Sequence, residues 1–287
     1  MNAYITLDLL KATGGLNISG TGDDTRLRLM SEAVSRVEDR WTNRHFYSEQ
    51  GTFVFDGGGD SLLMVPDLIS IDGSGLKVDD SFDGTYNETW AAADFILRPS
   101  NASPTSANKA NAKPYTSIEV NLKSNGTQEV FPSGQETVQI AGTWGYWQHL
   151  ATATETVSST GSFDATATSF DMTTGIDVQV GHTINVDVEQ MYVTSTGTGT
   201  TVNVQRGVNG STGTVHANSA VIEYFQYPDP VREVCIIETS KLWRRKDSGF
   251  ASSVGFPETG EISIIRGFDQ DSKMMLAAYR RMALGGL

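Results

Sequence analysis

TINVDVEQMYVTSTGTGTTVNVQRGVNGST, residues 183–212, is the stretch on which the reading of the fold turns. Ile184, Val186 and Val188 alternate with Asn185, Asp187 and Glu189, and Val202 and Val204 alternate with Asn203 and Gln205. A period of two puts one set of side chains on one face of a strand. Gly197-Thr198-Gly199 and Asn209-Gly210 are turn signals, because Gly and Asn enter left-handed backbone at low cost. AVIEYF, residues 220–225, follows as a closing strand. Strands of this number suit a small barrel or sandwich. On this reading ATATETVSSTGS, residues 151–162, is a polar linker into a β-module that ends near residue 226.

Upstream, from about residue 51 to 147, the period is also two. GTFVFDGGGDSLLMV reads as strand, Gly-rich turn and strand, and ISIDGSGLKVDD repeats the pattern. ADFILRP, SIEVNL and TVQIAGTWGYW are further strands. PSNASPTSANKANAKP, from Pro99 to Pro114, has no periodicity and reads as a loop.

The chain ends are written differently. Thr6 caps a short helix, with Asp8 in its first turn, Ile5 and Leu10 as a hydrophobic staple, and Gly14-Gly15 as its stop. Asp23 or Asp24 opens a longer helix to Arg44-His45, with Leu27, Met30, Val34, Val37 and Trp41 expected on its buried face. In PDPVREVCIIETSKLWRRKD, Asp229 is the expected cap, Pro230 the first helical residue, and Val231, Val234, Cys235, Thr239 and Leu242 the core face. EISIIRG is a strand or extended link, and Asp269 caps a final helix with a Gly-Gly tail. The expected fold is therefore α+β. The N- and C-terminal helices form a small helical bundle, with a β-rich middle and an inserted barrel or sandwich. The expected divisions are 1–150, 151–226 and 227–287.

The formal net charge of −13 argues against nonspecific capture of nucleic acid. Residues 151–225 hold seven acids and one base, Arg206, whereas 231–287 hold nine bases and seven acids. No run of 18 apolar residues is present, so no membrane association is expected, and MNAYITLDLLKATGGL lacks the features of a signal peptide.

Chemistry-bearing motifs are sparse. Cys235 stands alone among apolar residues and reads as a buried thiol. His45, His149, His182 and His216 have no partner at metal-ligand spacing, so each reads as a surface or packing residue. DDSFDGTYNETW resembles a calcium loop at Asp79, Ser81, Asp83 and Gly84, but Trp90 stands where the bidentate Glu belongs. Two S-x-x-K matches, Ser74 to Lys77 and Ser106 to Lys109, fall in turn or loop sequence. DGGGD lacks a phosphate loop's ending. No enzyme activity, cofactor or metal is expected. Lys241, Arg244 and Arg245 lie in a last helical turn, where they complement the dipole or meet a protein surface.

YITLDLLKATGGL, DDTRLRLMSEAVSRVEDRWTNRHF, VFDGGGDSLLMVPDLISI, ADFILRP, PYTSIEV, VQIAGTWGY, PDPVREVCIIETSKLWRRKDSGF and DSKMMLAAYRRM, in this order, resemble the head–tail connector (adaptor) proteins of tailed bacteriophages. VEQMYVT, VQRGVNGST and VHA look like the β-insertion of some members. The resemblance implies a virion structural protein of the neck, made in the host bacterial cytoplasm. About twelve copies would form a ring beneath the portal by head-to-tail contacts. The ring would continue the DNA channel without sequence-specific binding and dock a stopper or tail-completion protein. Carried over, the portal-facing residues are Tyr279, Arg280, Arg281, Met282, Leu284 and Leu287. Lys241, Arg244 and Arg245 are expected between subunits. The alternatives are a tail-completion or stopper protein, a hydrolase with an unrecognised site, or a host-surface or glycan-binding protein. An adhesive module would draw on Phe163, Phe170, Tyr192, Tyr224 and Phe225.

Overall fold

The computed structural model describes residues 2–12, 14–106, 112–123, 128–159, 162–246, 253–256, 260–263 and 267–281. The fold is α+β, with four helices and a closed six-stranded barrel among these residues. None of the helices is long and apolar enough to cross a membrane. The chain packs as two units. One holds Met1–Arg44, Leu150–Val208 and Thr212–Leu287, the other His45–His149 and Asn209–Ser211.

The larger unit begins with α1 (Leu7–Lys11) and α2 (Asp24–Thr42). Thr6 Oγ1 accepts the Leu9 amide at 3.3 Å, as expected of a cap. Asn43 closes α2 in left-handed backbone, φ 54°.

The smaller unit is one antiparallel sheet. Its strands are β1 (Glu49–Gly57), β2 (Leu62–Val78), β3 (Glu88–Thr89), β4 (Phe95–Arg98), β5 (Tyr115–Val120) and β6 (Gly134–Trp144). The order is β1-β6-β2-β5-β4, with β3 on β2. The Gly-rich turn at 57–59 therefore does not close a hairpin, because β6 lies between β1 and β2. ISIDGSGLKVDD is not a second hairpin either. It continues β2, with an irregularity in pairing between Ile71 and Leu76. Gly75 is required there, since a Cβ would lie 2.2 Å from the Ala141 carbonyl oxygen. Leu68, Leu76, Ile118, Val138, Ile140, Trp90, Phe131 and Trp144 form the core of this unit. Trp90 and Phe131 stack at 4.8 Å.

Eight strands follow: β7 (His149–Ser158), β8 (Ser162–Phe163), β9 (Ser169–Met172), β10 (Thr183–Val186), β11 (Glu189–Thr196), β12 (Thr201–Gln205), β13 (His216–Ala217) and β14 (Val221–Gln226). The barrel closes in the order β10-β11-β12-β9-β7-β14. The expected polar linker is thus mostly a barrel strand, β7. Ala153, Glu155 and Val157 point inward with a period of two, and the Glu155 carboxylate accepts the Asp177 and Val178 amides at 2.9 and 2.7 Å. Small and charged inward residues hid that period. Inside the barrel, Phe163, Phe170, Met172, Ile184, Val186, Met191, Val193, Val202, Val204 and Ile222 form the core. Val188 is not in a strand. Asp187 and Val188 form a two-residue turn between paired Val186 and Glu189, with φ 54° at Asp187, leaving Val188 67% exposed.

The chain returns to helix in α3 (Asp229–Arg245), which starts one residue before the expected first turn. The short hairpin β15 (Ser253–Phe256) and β16 (Gly260–Ser263) precedes α4 (Gln270–Ala277). In α3, Val231, Val234, Cys235 and Thr239 are buried as expected, and Trp243 is buried instead of Leu242. α2 is turned from its expected face. It buries Leu27, Ser31, Val34, Ser35, Glu38 and Thr42, and Val37 is 54% exposed. Small hydroxyl residues on this face let α3 come close: Ser35 Oγ lies 3.4 Å from Cys235 Sγ.

Candidate functional site

The last described residues close onto the end of α2. Thr42 is the final residue of that helix, so its carbonyl has no partner within the helix. The Arg281 amide donates to it at 2.8 Å, and Asn43 Nδ2 donates to the Arg281 carbonyl at 3.1 Å. The Arg280 guanidinium sits 5.4 Å from the centre of the Trp41 ring, where a cation also complements the helix dipole. Phe268 meets Trp41 edge-on at 6.1 Å.

Glu238 fastens α4 to α3. Its Oε1 accepts the Asp269 amide at 3.2 Å and the Ser272 hydroxyl at 2.7 Å. Asp269 in turn caps α4 by accepting the Ser272 amide at 2.8 Å. Of the expected subunit-interface residues, Lys241 is already engaged, with Glu238 at 2.8 Å and the Gly267 carbonyl at 2.9 Å. Arg244 is exposed and Arg245 half-buried. Of the expected portal-facing residues, the structure gathers Arg280 and Arg281 at the end of α2. Tyr279 is half-buried, and burial, reinforced by Asp229, pushes its hydroxyl upward. Met282, Leu284 and Leu287 lie outside the described residues.

Near its C-terminal end α2 carries a buried Glu38 and a half-buried Asp39. Neither carboxylate oxygen of Glu38 has a hydrogen-bond partner among the described residues. Burial, then the neighbouring Asp39, pushes Glu38 well above the ordinary carboxylate range. Asp39 is pushed up to about 6 by burial, against the pull of Arg36 at 3.1 Å and the Tyr4 hydroxyl. Cys235 is fully buried, and burial pushes its thiol far up, so it is no nucleophile.

The four histidines have different settings. His45 rests on Tyr47 at 4.5 Å and His149 stacks on Trp147 at 5.3 Å. His182 stacks on Tyr224 and borders a cleft of about 470 Å³ with Tyr4, Tyr227 and Arg232. Burial, then the Arg232 charge, lowers it to about 4. His216 is buried, with Nδ1 2.7 Å from Asp187 Oδ2 and Nε2 2.9 Å from Glu189 Oε2.

Glu189 is the centre of the network that the alternating pattern missed. It receives Arg206 through Nε and Nη2, both at 2.6 Å, and the Gly207 and Thr214 amides at 3.1 and 2.9 Å. Arg206 also covers the Phe163 ring at 4.3 Å. Burial opposes the Glu189 charge, but Arg206 and the amides outweigh it and hold the carboxyl at about 2. The available signal was Arg206 itself, a single base among seven acids. The network ties Arg206, Gly207 and Thr214 to β11. Its carboxylate is saturated by donors, so it has no open position for a metal or substrate. No group of three or more His, Cys, Asp or Glu among the described residues is placed to hold a metal ion.

Asp79, the first position of the calcium-like loop, is spent on its own loop. It accepts the Gly84 amide at 2.8 Å and the Asp83 amide and Ser81 hydroxyl at 3.3 Å. No family model, curated protein or solved structure matches the chain.

Proposed function

We propose that the protein is a head–tail connector of a tailed bacteriophage. On this reading it is a virion structural protein rather than an enzyme, and about twelve copies form a ring under the portal. The α2, α3 and α4 helices act as a small bundle that carries the portal-facing tail. The ring extends the DNA channel and offers a surface to a stopper or tail-completion protein. The net charge of −13 suits a channel through which DNA passes without sticking.

The observation that carries the reading is the seating of Arg280 and Arg281 on the end of α2. The end of α2 and the segment that follows α4 thereby meet. Against an adhesive barrel, Phe163, Phe170, Tyr192 and Phe225 are buried, and Tyr224 is stacked on His182. They offer no aromatic platform for a sugar.

Two truncations test the reading by pull-down with purified portal protein. Ending the chain after Arg281 keeps the bond to Thr42 and should abolish portal binding with an unchanged Tm. Ending it after Ala278 should do the same with a lower Tm, since it also removes the Arg281 bonds to Thr42 and Asn43 and the Arg280 contact with Trp41, each worth about 1 kcal/mol. Undiminished portal binding by both would contradict the assignment.

A further inference from the structure

We propose that the exposed stripe of α2 receives a second copy of this chain, which presents its Phe82 loop. The proposal rests on the head-to-tail assembly described above and names the surfaces that would make it.

Arg26, Leu29, Ala33, Val37 and Arg40 fall on one line of α2, at spacings of three and four. All five are exposed, Leu29 by 49% and Val37 by 54%. The line is apolar in the middle and basic at both ends. Arg28 and Arg36, on other faces, are paired with Glu32 and Asp39. Arg26 and Arg40 have no ion-pair partner among the described residues. An apolar line with two unspent cations calls for an apolar group between carboxylates.

The smaller unit supplies that group. It is strongly acidic, with thirteen acids against five bases over residues 45–149. In the loop after β2, the Asp79 carboxylate turns inward onto the Gly84 and Asp83 amides. Phe82 is left 62% exposed, with exposed Asp80 and Asp83 near it in sequence. Its φ of 59° is costly for an aromatic residue, and the Asp79 bonds to the Asp83 and Gly84 amides brace the loop around it. A pre-shaped aromatic loses little entropy on docking.

The dimensions agree. Seated over Ala33, the smallest residue of the line, the Phe82 ring would lie between Leu29 and Val37. Arg26 and Arg40 then lie about 10 Å along the axis on either side, within reach of carboxylates flanking the ring. Because the two surfaces differ, the contact is heterologous and propagates into a ring or a filament.

Cross-linking between full-length chains tests this contact. Ala33→Cys chains are mixed with Ser81→Cys chains under copper-phenanthroline oxidation, and circular dichroism checks that both are folded. Cys235 is buried and adds no background. The mixture should give a covalent dimer several-fold more abundant than either variant alone, or than Ala33→Cys mixed with Thr198→Cys. Adding Phe82→Ser to the Ser81→Cys chain should return the yield to the control level. A mixture no better than its control overturns the proposal. Sedimentation of the unaltered chain separates the two ideas: larger species without the cross-link mean that copies assemble through other surfaces.

Discussion

Removing either member of the Glu189–Arg206 pair leaves a buried charge without its counter-ion. Arg206→Ala should cost about 3–5 kcal/mol, and replacing both by Gln and Met should cost less than either single change. Amide exchange in β10 to β12 reads the loss locally. A second test uses pH. Asp39, raised to about 6, contributes stability below the ordinary aspartate pKa, lost as pH rises through 6. His182, lowered to about 4, contributes stability above the ordinary histidine pKa, lost as pH falls through 4. Each shift is worth about 3 kcal/mol, and the two slopes oppose each other between pH 4 and 6. Buried Glu38, also raised, adds a slope of the same sign as Asp39 to both variants, so the signs are read against the unaltered protein: Asp39→Asn should shift the slope of stability with rising pH upward in this window, and His182→Gln downward. Urea unfolding at pH 4.5 and 6 checks both signs; parallel profiles for the two variants would refute the assignment. Neither network was legible as a constellation. Its members are distant in sequence, and Glu189 occupies a position that strand alternation marks as outward.

At the scale of elements, caps and turns were legible because their signals are local. Thr6 and Asp269 act through their own neighbours, and the Gly197–Gly199 turn closes where its composition places it, whereas α2 stops at Thr42 on a left-handed Asn43, short of the expected Arg44-His45. Partners across the chain were not legible. β6 separates β1 from β2, a choice made by long-range pairing rather than by the turn. β7 hid its period because Ala153 and Glu155 face inward beside Val157. α2 misled in the opposite way. Its apolar residues mark two lines, and the helix buries the one where Ser31 and Ser35 allow close approach to α3. Ser35→Leu should therefore overpack this contact and cost about 1–3 kcal/mol, whereas Val37→Ser should leave the Tm within about 2 °C. Equal losses for both would place the buried face wrongly.

For the whole molecule, the candidate surfaces follow from what the fold leaves over. Lys241 is used internally, the barrel aromatics are buried, and the Glu189 carboxylate is saturated. Among the surfaces left exposed are the helical end at Arg281, the basic-apolar line of α2 and the acidic Phe82 loop. The first suits a portal groove and the other two suit each other. Charge sets a further expectation: association between copies should weaken as salt rises, since the flanking pairs lie at the rim of the contact. Sedimentation at 50 mM and 500 mM salt reads this. The most direct measurement is negative-stain imaging of the protein mixed with purified portal. A ring of about twelve copies on one face of the portal is the predicted result. Portal particles that stay bare at saturating protein would contradict the account.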